Sequence, residues 1–532
     1  MIVRKLPLGA LSATALWLCA CAPPASPDGE RDPAVVPGAK ADGSDFRTCE
    51  LLAVVGWLNE GPGAGALMEA GVHARAAQHL TAHRDGPDAV FGTADDALFA
   101  TIDEVDAVPW VGPTAMRQLV AAVPPCEDLA VAVPDVLHTD LRADVSALTA
   151  TADVRVAAPP ADRIALDAAG LDVRAVELAG RALPHARDAG WLFVDLPPGT
   201  AGELTLSFAY DFTVQEGAYG LLPNGSTLTW PYFCGNLFPC NPDPAEGMTY
   251  TLEVVDAPGT LVAAASLERE GPVYMLGWAA GELTEHPLGR TPSGTDISVW
   301  TLPGAEAEGL RGTEHLVDAF AFLEETYGDY MFGSRAGSVQ ADWGEGAFGG
   351  MEHHPFWHVA TESMGVFETH AHEAAHGWFG NGVRIACWED FVLSEGVTTY
   401  VAARAVEAAA GEAEADAVWA QYRLELDAAL ADPSIPHVAW PEGCGVVDLV
   451  EDGYWSAIPY MMGAHFMRAL ERRVGRGALD AALRAFYATR RGTAARFEDL
   501  LAVVEDETGY DPRPCAQAWL RSGQEPDAEV CP

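Results

Sequence analysis

Apolar and polar residues alternate along the chain between about residues 128 and 304. Stretches such as Leu204-Thr-Leu-Ser-Phe-Ala-Tyr210 and Thr249-Tyr-Thr-Leu-Glu-Val-Val255 place apolar side chains at every second position, and Gly, Pro, Asn and Asp separate them. Because successive side chains of a strand point to opposite faces of a sheet, this period predicts strands with one buried face. We therefore expect a β-rich domain over 128–304.

Beyond about residue 305 the alternation gives way to long segments rich in Ala and Leu, which are typical of helices. The segments 395–431 and 456–490 are prominent examples, so we predict a mainly helical domain over 305–532. Helical spacing also marks the stretch between Cys49 and Cys126, where 108–119 resembles a helix-hairpin-helix turn. The sequence therefore predicts an α+β multidomain fold, in which a small helical module at 46–127 precedes the β-rich and helical domains.

The first 45 residues have the pattern of an export signal followed by a tether. Arg4 and Lys5 precede a short apolar run, which ends in Leu18-Cys-Ala-Cys21 and resembles the bacterial lipoprotein box. We predict a signal peptide over 1–21, a lipid anchor on Cys21 and a flexible linker over 22–45. The protein would then be exported and anchored to the bacterial cell envelope, facing the periplasm or the exterior. Ordinary signal cleavage without a lipid is the alternative.

The charge of the chain argues against nucleic acid as a partner. Acidic residues number 77 and basic residues 31, which gives a formal net charge of -46. Such a field repels phosphate backbones, and the acidic surroundings of 108–119 favour a structural module or spacer over a DNA-binding one. A preference for cationic substrates and adaptation to a salty medium both remain compatible with this charge.

Eight cysteines remain outside the predicted signal peptide, and an even number in an exported chain suggests disulfides. Eight cysteines allow 105 connectivities. Grouping by region predicts four local pairs: Cys49–Cys126, Cys234–Cys240, Cys387–Cys444 and Cys515–Cys531. Metal binding by these residues is the weaker interpretation, because no two of them are spaced as CxxC.

A candidate metal site begins with His372-Glu-Ala-Ala-His376, whose two histidines lie four residues apart. This spacing puts both imidazoles on one face of a helix, close enough to share a metal, with Glu373 beside them. A surface helix with two solvated histidines would give the same pattern. Glu395, after eighteen intervening residues, supplies a third ligand on a second predicted helix. Three protein ligands with one open position are typical of catalytic rather than structural zinc.

With these residues the chain resembles the aminopeptidase N (membrane alanyl aminopeptidase) family of gluzincin zinc metallopeptidases, over most of 128–525. The resemblance includes the stretch from His372 to Asn381 and the spaced Glu395. Gly349-Gly-Met-Glu-His353 is similar to the family's GxMEN exopeptidase motif, and Tyr460 matches the tyrosine of its YxKG motif. The segment 238–244 is similar to the family's FPCFDEP segment.

The resemblance implies a thermolysin-like catalytic domain and one Zn2+ held by His372, His376 and Glu395. Glu373 would act as general base and Tyr460 as donor to the oxyanion. Glu352 would bind the substrate's free α-amine, with Gly349, Gly350 and Met351 beside it in the substrate site. The expected function is hydrolysis of N-terminal peptide bonds of peptides outside the cytoplasm; the oligomeric state is not predicted.

The chain also departs from the family pattern. His353 replaces the Asn of GxMEN, Met462 replaces the Lys of YxKG, and the family's second amine-binding residue in the β-rich domain has no clear counterpart. A zinc endopeptidase without strict N-terminal selection, and a surface binding module with a vestigial site, are therefore alternatives. We expect the other nearby histidines to serve in packing and hydrogen bonding rather than to hold a second metal: His353, His354, His358 and His370.

Overall fold

A computed structural model describes residues 46–522 except 47, 94, 124–130, 189, 216–218, 231, 345–346, 348 and 445. The predicted signal peptide, the lipid anchor on Cys21 and the linker lie outside the described residues. So do Cys126 and Cys531, and with them two of the predicted disulfides. Within the described ranges, no helix is both long enough and apolar enough to cross a membrane.

The described chain begins with five helices that share an apolar core. The core includes Val55, Leu58, Leu80 and Leu119. The turn between the last two helices lies within the helix-hairpin-helix-like segment. The module also contacts the strands that follow: the His185 amide, for example, donates to Ala100 O at 3.1 Å. The helices are α1 (Thr48–Asn59), α2 (Ala64–Glu69), α3 (Ala74–Arg84), α4 (Ile102–Ala107) and α5 (Pro113–Ala122).

Several strands between residues 131 and 281 follow the period of two seen in the sequence. In β9, for example, Leu206, Phe208, Tyr210 and Phe212 are buried on one face. The strands are β1 (Val131–Ala132), β2 (Asp135–Asp144), β3 (Thr149–Ala158), β4 (Arg163–Asp167), β5 (Leu171–Leu178), β6 (Arg181–Ala182), β7 (His185–Asp188), β8 (Trp191–Asp195), β9 (Gly202–Phe212), β10 (Gly220–Leu221), β11 (Thr227–Leu228), β12 (Gly247–Val255), β13 (Thr260–Ala263), β14 (Ser266–Pro272) and β15 (Trp278–Gly281).

These strands form a seven-stranded sheet in the order β14-β12-β2-β3-β9-β5-β6 and a four-stranded sheet in the order β1-β4-β8-β7. Most neighbours are antiparallel, while β12 runs parallel to β2. Two small ribbons, β10-β11 and β13-β15, complete this part. A turn of 3-10 helix at Val273–Met275 follows β14 directly.

A further five-stranded sheet has the order β16-β17-β18-β20-β19, and its three middle strands are parallel. Its strands are β16 (Thr284–Arg290), β17 (Asp296–Thr301), β18 (Arg335–Ala341), β19 (Gly350–Met351) and β20 (Phe356–Ala360). The predicted domain boundary between residues 304 and 305 therefore lies between two strands of the same sheet, β17 and β18. The helices α6 (Glu306–Gly312) and α7 (Leu316–Tyr327) connect β17 to its parallel neighbour β18.

From residue 367 to 521 the described chain is mainly helical, as predicted. The two long helical segments each divide in two, because Gly411 and Gly475, with φ values of 95° and 86°, end the preceding helices. The elements are α8 (Phe367–Ala375), β21 (Arg384–Ile385), α9 (Phe391–Ala410), α10 (Glu412–Ala431), α11 (Ala457–Val474), α12 (Arg476–Arg490), β22 (Ala494–Ala495), α13 (Phe497–Thr508), α14 (Arg513–Ala516) and a π-helical turn (Gln517–Arg521).

One continuous apolar core extends from the seven-stranded sheet to the helices, from Val136 to Leu520. Two of the predicted disulfides, Cys234–Cys240 and Cys387–Cys444, are confirmed. The second of these joins Cys387, four residues before the start of α9, to Cys444 in the long connection between α10 and α11. The two helices that carry candidate site residues after residue 390 are thus linked through their flanking chain.

Candidate functional site

The predicted metal ligands meet at the junction of α8 and α9. His372 lies in the last turn of α8, His376 directly follows the helix, and Glu395 lies in the second turn of α9. The two Nε2 atoms are 3.1 Å apart. Glu395 Oε2 is 3.4 Å from each of them. The three residues whose spacing suggested a metal site therefore converge on one point.

These distances fit a tetrahedral zinc site. Ligand atoms about 2.0–2.1 Å from a tetrahedral ion are separated from one another by about 3.3–3.4 Å. Two imidazole nitrogens and one carboxylate oxygen form a donor set that zinc prefers, and they leave a fourth position for water or substrate. The residues present thus match a catalytic zinc ion in both chemistry and spacing.

Hydrogen bonds orient two of the ligands. His376 Nδ1 lies 3.0 Å from the carbonyl oxygen of Phe379, so its ring donates there and turns the Nε2 lone pair toward the other ligands. Thr398 Oγ1 donates to the same carbonyl at 3.0 Å. Glu395 Oε1 accepts from Ser394 Oγ at 3.0 Å, which leaves Oε2 to face the histidines.

Glu373 is buried beside the ligand group, and its carboxylate lies within 4.8 Å of the Glu352 carboxylate and the His376 ring. Strand β19 passes directly against it: a Cβ at Gly350 would lie 2.5 Å from Glu373 Cγ. Real Cβ atoms do not approach so closely, so only glycine fits there. The edge strand that carries the GxMEN-like motif is thereby held in contact with the candidate base.

The electrostatics of the site favour a bound cation. Glu352, Glu373 and Glu395 are all buried, and among the described residues none forms a salt bridge with Lys or Arg. Burial and three nearby carboxylates, Glu352, Glu395 and Glu368, raise the pKa of Glu373, although His376 opposes the shift. Burial alone would lower the pKa of His376, yet Glu395 and Glu352 raise it to about 10. The excess of negative charge would stabilise a divalent metal.

Tyr460 reaches the site from α11. Its ring centroid is 6.0 Å from that of His372 and 5.8 Å from that of Phe391. This placement depends on a close crossing of α9 and α11, because a Cβ at Gly396 would lie 2.7 Å from Gly463 Cα. Gly396 follows Glu395, and Gly463 lies three residues after Tyr460, so the crossing brings ligand and phenol together.

Glu352 lies at the end of β19 and is 6% exposed. Two residues that the sequence analysis did not assign to the site contact it. Asn381, which is fully buried, donates from Nδ2 to the Glu352 carbonyl oxygen. Tyr274, from the turn after β14, donates its hydroxyl to Asn381 Oδ1 at 3.2 Å. Asn381 ends the stretch from His372 to Asn381 that resembles the family motif. Tyr274 lies in a distant segment, and the sequence around it does not indicate a role in the site.

The additional histidines near the motif make buried hydrogen bonds. His353 Nε2 lies 2.8 Å from Thr229 O, and its Nδ1 lies 3.2 Å from His358 Nδ1. His354 Nε2 lies 2.8 Å from Glu373 O. His370 Nδ1 lies 2.8 Å from Ser338 Oγ. Burial lowers the pKa of His353 to about 4 and that of His354 to about 3, so both rings are neutral packing groups.

Residues 354–519 match the family model for the peptidase family M1 domain. Leucine aminopeptidase 2 of Neurospora crassa is 26% identical over 275 residues, which cover 46% of this chain and 39% of that protein. The chain thus spans only about two fifths of the length of the curated relatives it matches.

Solved structures match a larger share of the chain, about three quarters of it. The M1 zinc metallopeptidase from Deinococcus radiodurans has a TM-score of 0.62 at 21% identity, covering 75% of this chain and 96% of that chain. Leukotriene A4 hydrolase from Saccharomyces cerevisiae has a TM-score of 0.63 at 21% identity, covering 74% and 69%. At such identities the likeness concerns the fold, and it confirms the predicted α+β class with a β-rich part before a helical one.

Proposed function

We propose that this chain, whose residues 354–519 match the peptidase family M1 domain, is a zinc-dependent aminopeptidase. The observation that carries the proposal is the convergence of His372, His376 and Glu395 to within 3.1–3.4 Å of one another beside Glu373. A carboxylate next to three ligands with an open position is the arrangement that metal-assisted hydrolysis requires.

Zinc on the three ligands would lower the pKa of a water molecule toward neutrality and polarise the scissile carbonyl. Glu373 accepts a proton from the attacking water, and the resulting hydroxide adds to the carbonyl carbon. Tyr460 donates a hydrogen bond to the oxyanion that forms. Glu373 then returns the proton to the leaving nitrogen as the C–N bond breaks, which yields a free amino acid and a shortened peptide.

Substrate position follows from β19 and Glu352. The edge strand at Gly350–Met351 pairs with β20 on one side only, so a substrate backbone can approach its other side. Glu352, at the end of that strand, would bind the cationic α-amine by charge-assisted hydrogen bonds. This pairing of an amine site with the hydrolytic centre selects the first peptide bond.

Export and lipid anchoring are part of the proposal. They are supported by the basic start, the apolar run and the Cys21 context of residues 1–21. The substrates would then be peptides outside the cytoplasm.

Metal analysis and a free-amine substrate test the proposal together. Purified protein is expected to carry one zinc per chain and to release p-nitroaniline from aminoacyl p-nitroanilides, with activity lost on chelation and restored by added zinc. Equal cleavage of a peptide and its N-acetylated form would establish the endopeptidase alternative instead. Zinc-loaded protein that hydrolyses neither would contradict both and indicate a vestigial site.

A further inference from the structure

Asn381 connects three parts of the site through its side-chain carboxamide and its backbone N–H. Its Nδ2 donates to Glu352 O, its Oδ1 accepts from the Tyr274 hydroxyl at 3.2 Å, and its backbone N–H donates to His376 O at 3.1 Å. The side chain is fully buried. One residue therefore joins the candidate amine site, a turn of the β-rich part and the backbone of a metal ligand.

Tyr274 contacts the oxygen of the Asn381 carboxamide, whose nitrogen binds the Glu352 carbonyl. It is 8% exposed, and its hydroxyl donates to Asn381 Oδ1 at 3.2 Å. Burial and the Glu352 carboxylate raise the pKa of Tyr274 well above its ordinary value, so the phenol remains a donor at every working pH. Tyr274 and Glu395 line one small cavity of about 20 Å³, which can hold a single water molecule.

Glu352 follows a strand that is only two residues long. Strand β19 begins after Gly349, and the Glu352 carbonyl oxygen accepts from the His354 N–H at 2.7 Å as well as from Asn381 Nδ2. A carboxylate that binds an amine with useful strength must be held close to its binding geometry before the substrate arrives. Asn381 Nδ2 binds the Glu352 carbonyl oxygen, and Tyr274 orients the Asn381 carboxamide that makes this bond.

We propose that Tyr274 and Asn381 are positioning residues for amine recognition, and that together they hold Glu352 where it binds the substrate's N-terminus. This inference rests on the proposed aminopeptidase function. It also assigns a role in amine binding to the β-rich part of the chain, in which no acidic or Gln residue is evident for that purpose from the sequence.

Steady-state kinetics of Tyr274→Phe on alanyl p-nitroanilide tests the inference. Loss of the hydrogen bond that orients the Asn381 carboxamide is expected to raise KM about tenfold, with kcat within twofold of wild type and zinc content unchanged. Asn381→Ala is expected to shift KM in the same direction and gives a second test if Tyr274→Phe does not fold. The matched control is Tyr210→Phe, since the Tyr210 hydroxyl makes a buried hydrogen bond to Leu237 O at 2.9 Å away from the site.

A double-mutant cycle separates positioning from general destabilisation. In a Glu352→Ala background, Tyr274→Phe should leave KM unchanged, because the group it positions is gone. An equal rise in KM in both backgrounds, or the same rise in Tyr210→Phe, would overturn the inference. So would a wild-type KM in Tyr274→Phe, while the proposed function would stand. Wild-type, zinc-loaded protein that releases no product would overturn the proposed function, and this inference with it.

Discussion

The crossing of α9 and α11 provides a test of how the site is assembled that does not touch a catalytic group. In Gly396→Ala the new Cβ would lie 2.7 Å from Gly463 Cα, 2.8 Å from Pro459 O and 2.9 Å from Val392 Cγ2. Carbon atoms pack best at about 3.5–4.0 Å, so the two helices must separate by about 1 Å. Two of the three contacts are backbone atoms, which cannot turn aside as a flexible side chain can.

Overpacking of this kind is expected to cost about 1–3 kcal/mol of stability. Because Tyr460 lies on the displaced helix and Glu395 on its partner, the same shift should also misplace the phenol relative to the ligands. A displacement of about 1 Å can reduce turnover about a hundredfold. Thermal unfolding and kcat on an aminoacyl p-nitroanilide measure the two effects separately.

Gly477→Ala is the matched control, since it is also a helical glycine but has open space where the Cβ would be. It should keep wild-type kcat and change stability by no more than about 1 kcal/mol. If Gly396→Ala behaved like this control in both assays, the contact between the two helices would not be what positions Tyr460.

Three further outcomes are expected. Glu373→Gln should retain one zinc and lose at least about a hundredfold in kcat, because the base is removed and the ligands are not; near wild-type turnover would refute the assigned base. The free energy of unfolding should fall as pH is lowered from about 6.5 to about 4, because His353, His354 and His370 are held neutral in the fold and become charged only on unfolding. Each of the three histidines contributes up to about 1.4 kcal/mol per pH unit. A melting temperature that stays constant over this range would contradict the assignment. Cys21→Ala should move the protein from the membrane to the soluble fraction, and wild-type protein found only in the soluble fraction would exclude the lipid anchor.

Periodic features of the sequence predicted much of the fold and the ligand set. The alternation in β9 marks its buried face, and the four-residue spacing of His372 and His376 places both on one side of α8, because each pattern reflects the geometry of a single element. The sequence alone does not show that helices end at Gly411 and Gly475, because a helix can also contain an internal glycine. The five-stranded sheet that spans residue 304 was also not apparent, because two helices separate β17 from its parallel neighbour β18 in the chain.

The arrangement around Glu352 shows why part of the site could not be read from the sequence. Asn381 lies within the motif that begins at His372. Its function, however, depends on the contacts of its carboxamide with Glu352 and Tyr274. Tyr274 is placed by the turn after β14, so its proximity follows from the packing of the strands against the helical part. Spacing within an element can predict ligands that share a helix face. Contacts between groups distant in the chain arise only from tertiary packing, and the proposed amine site is assembled from such contacts.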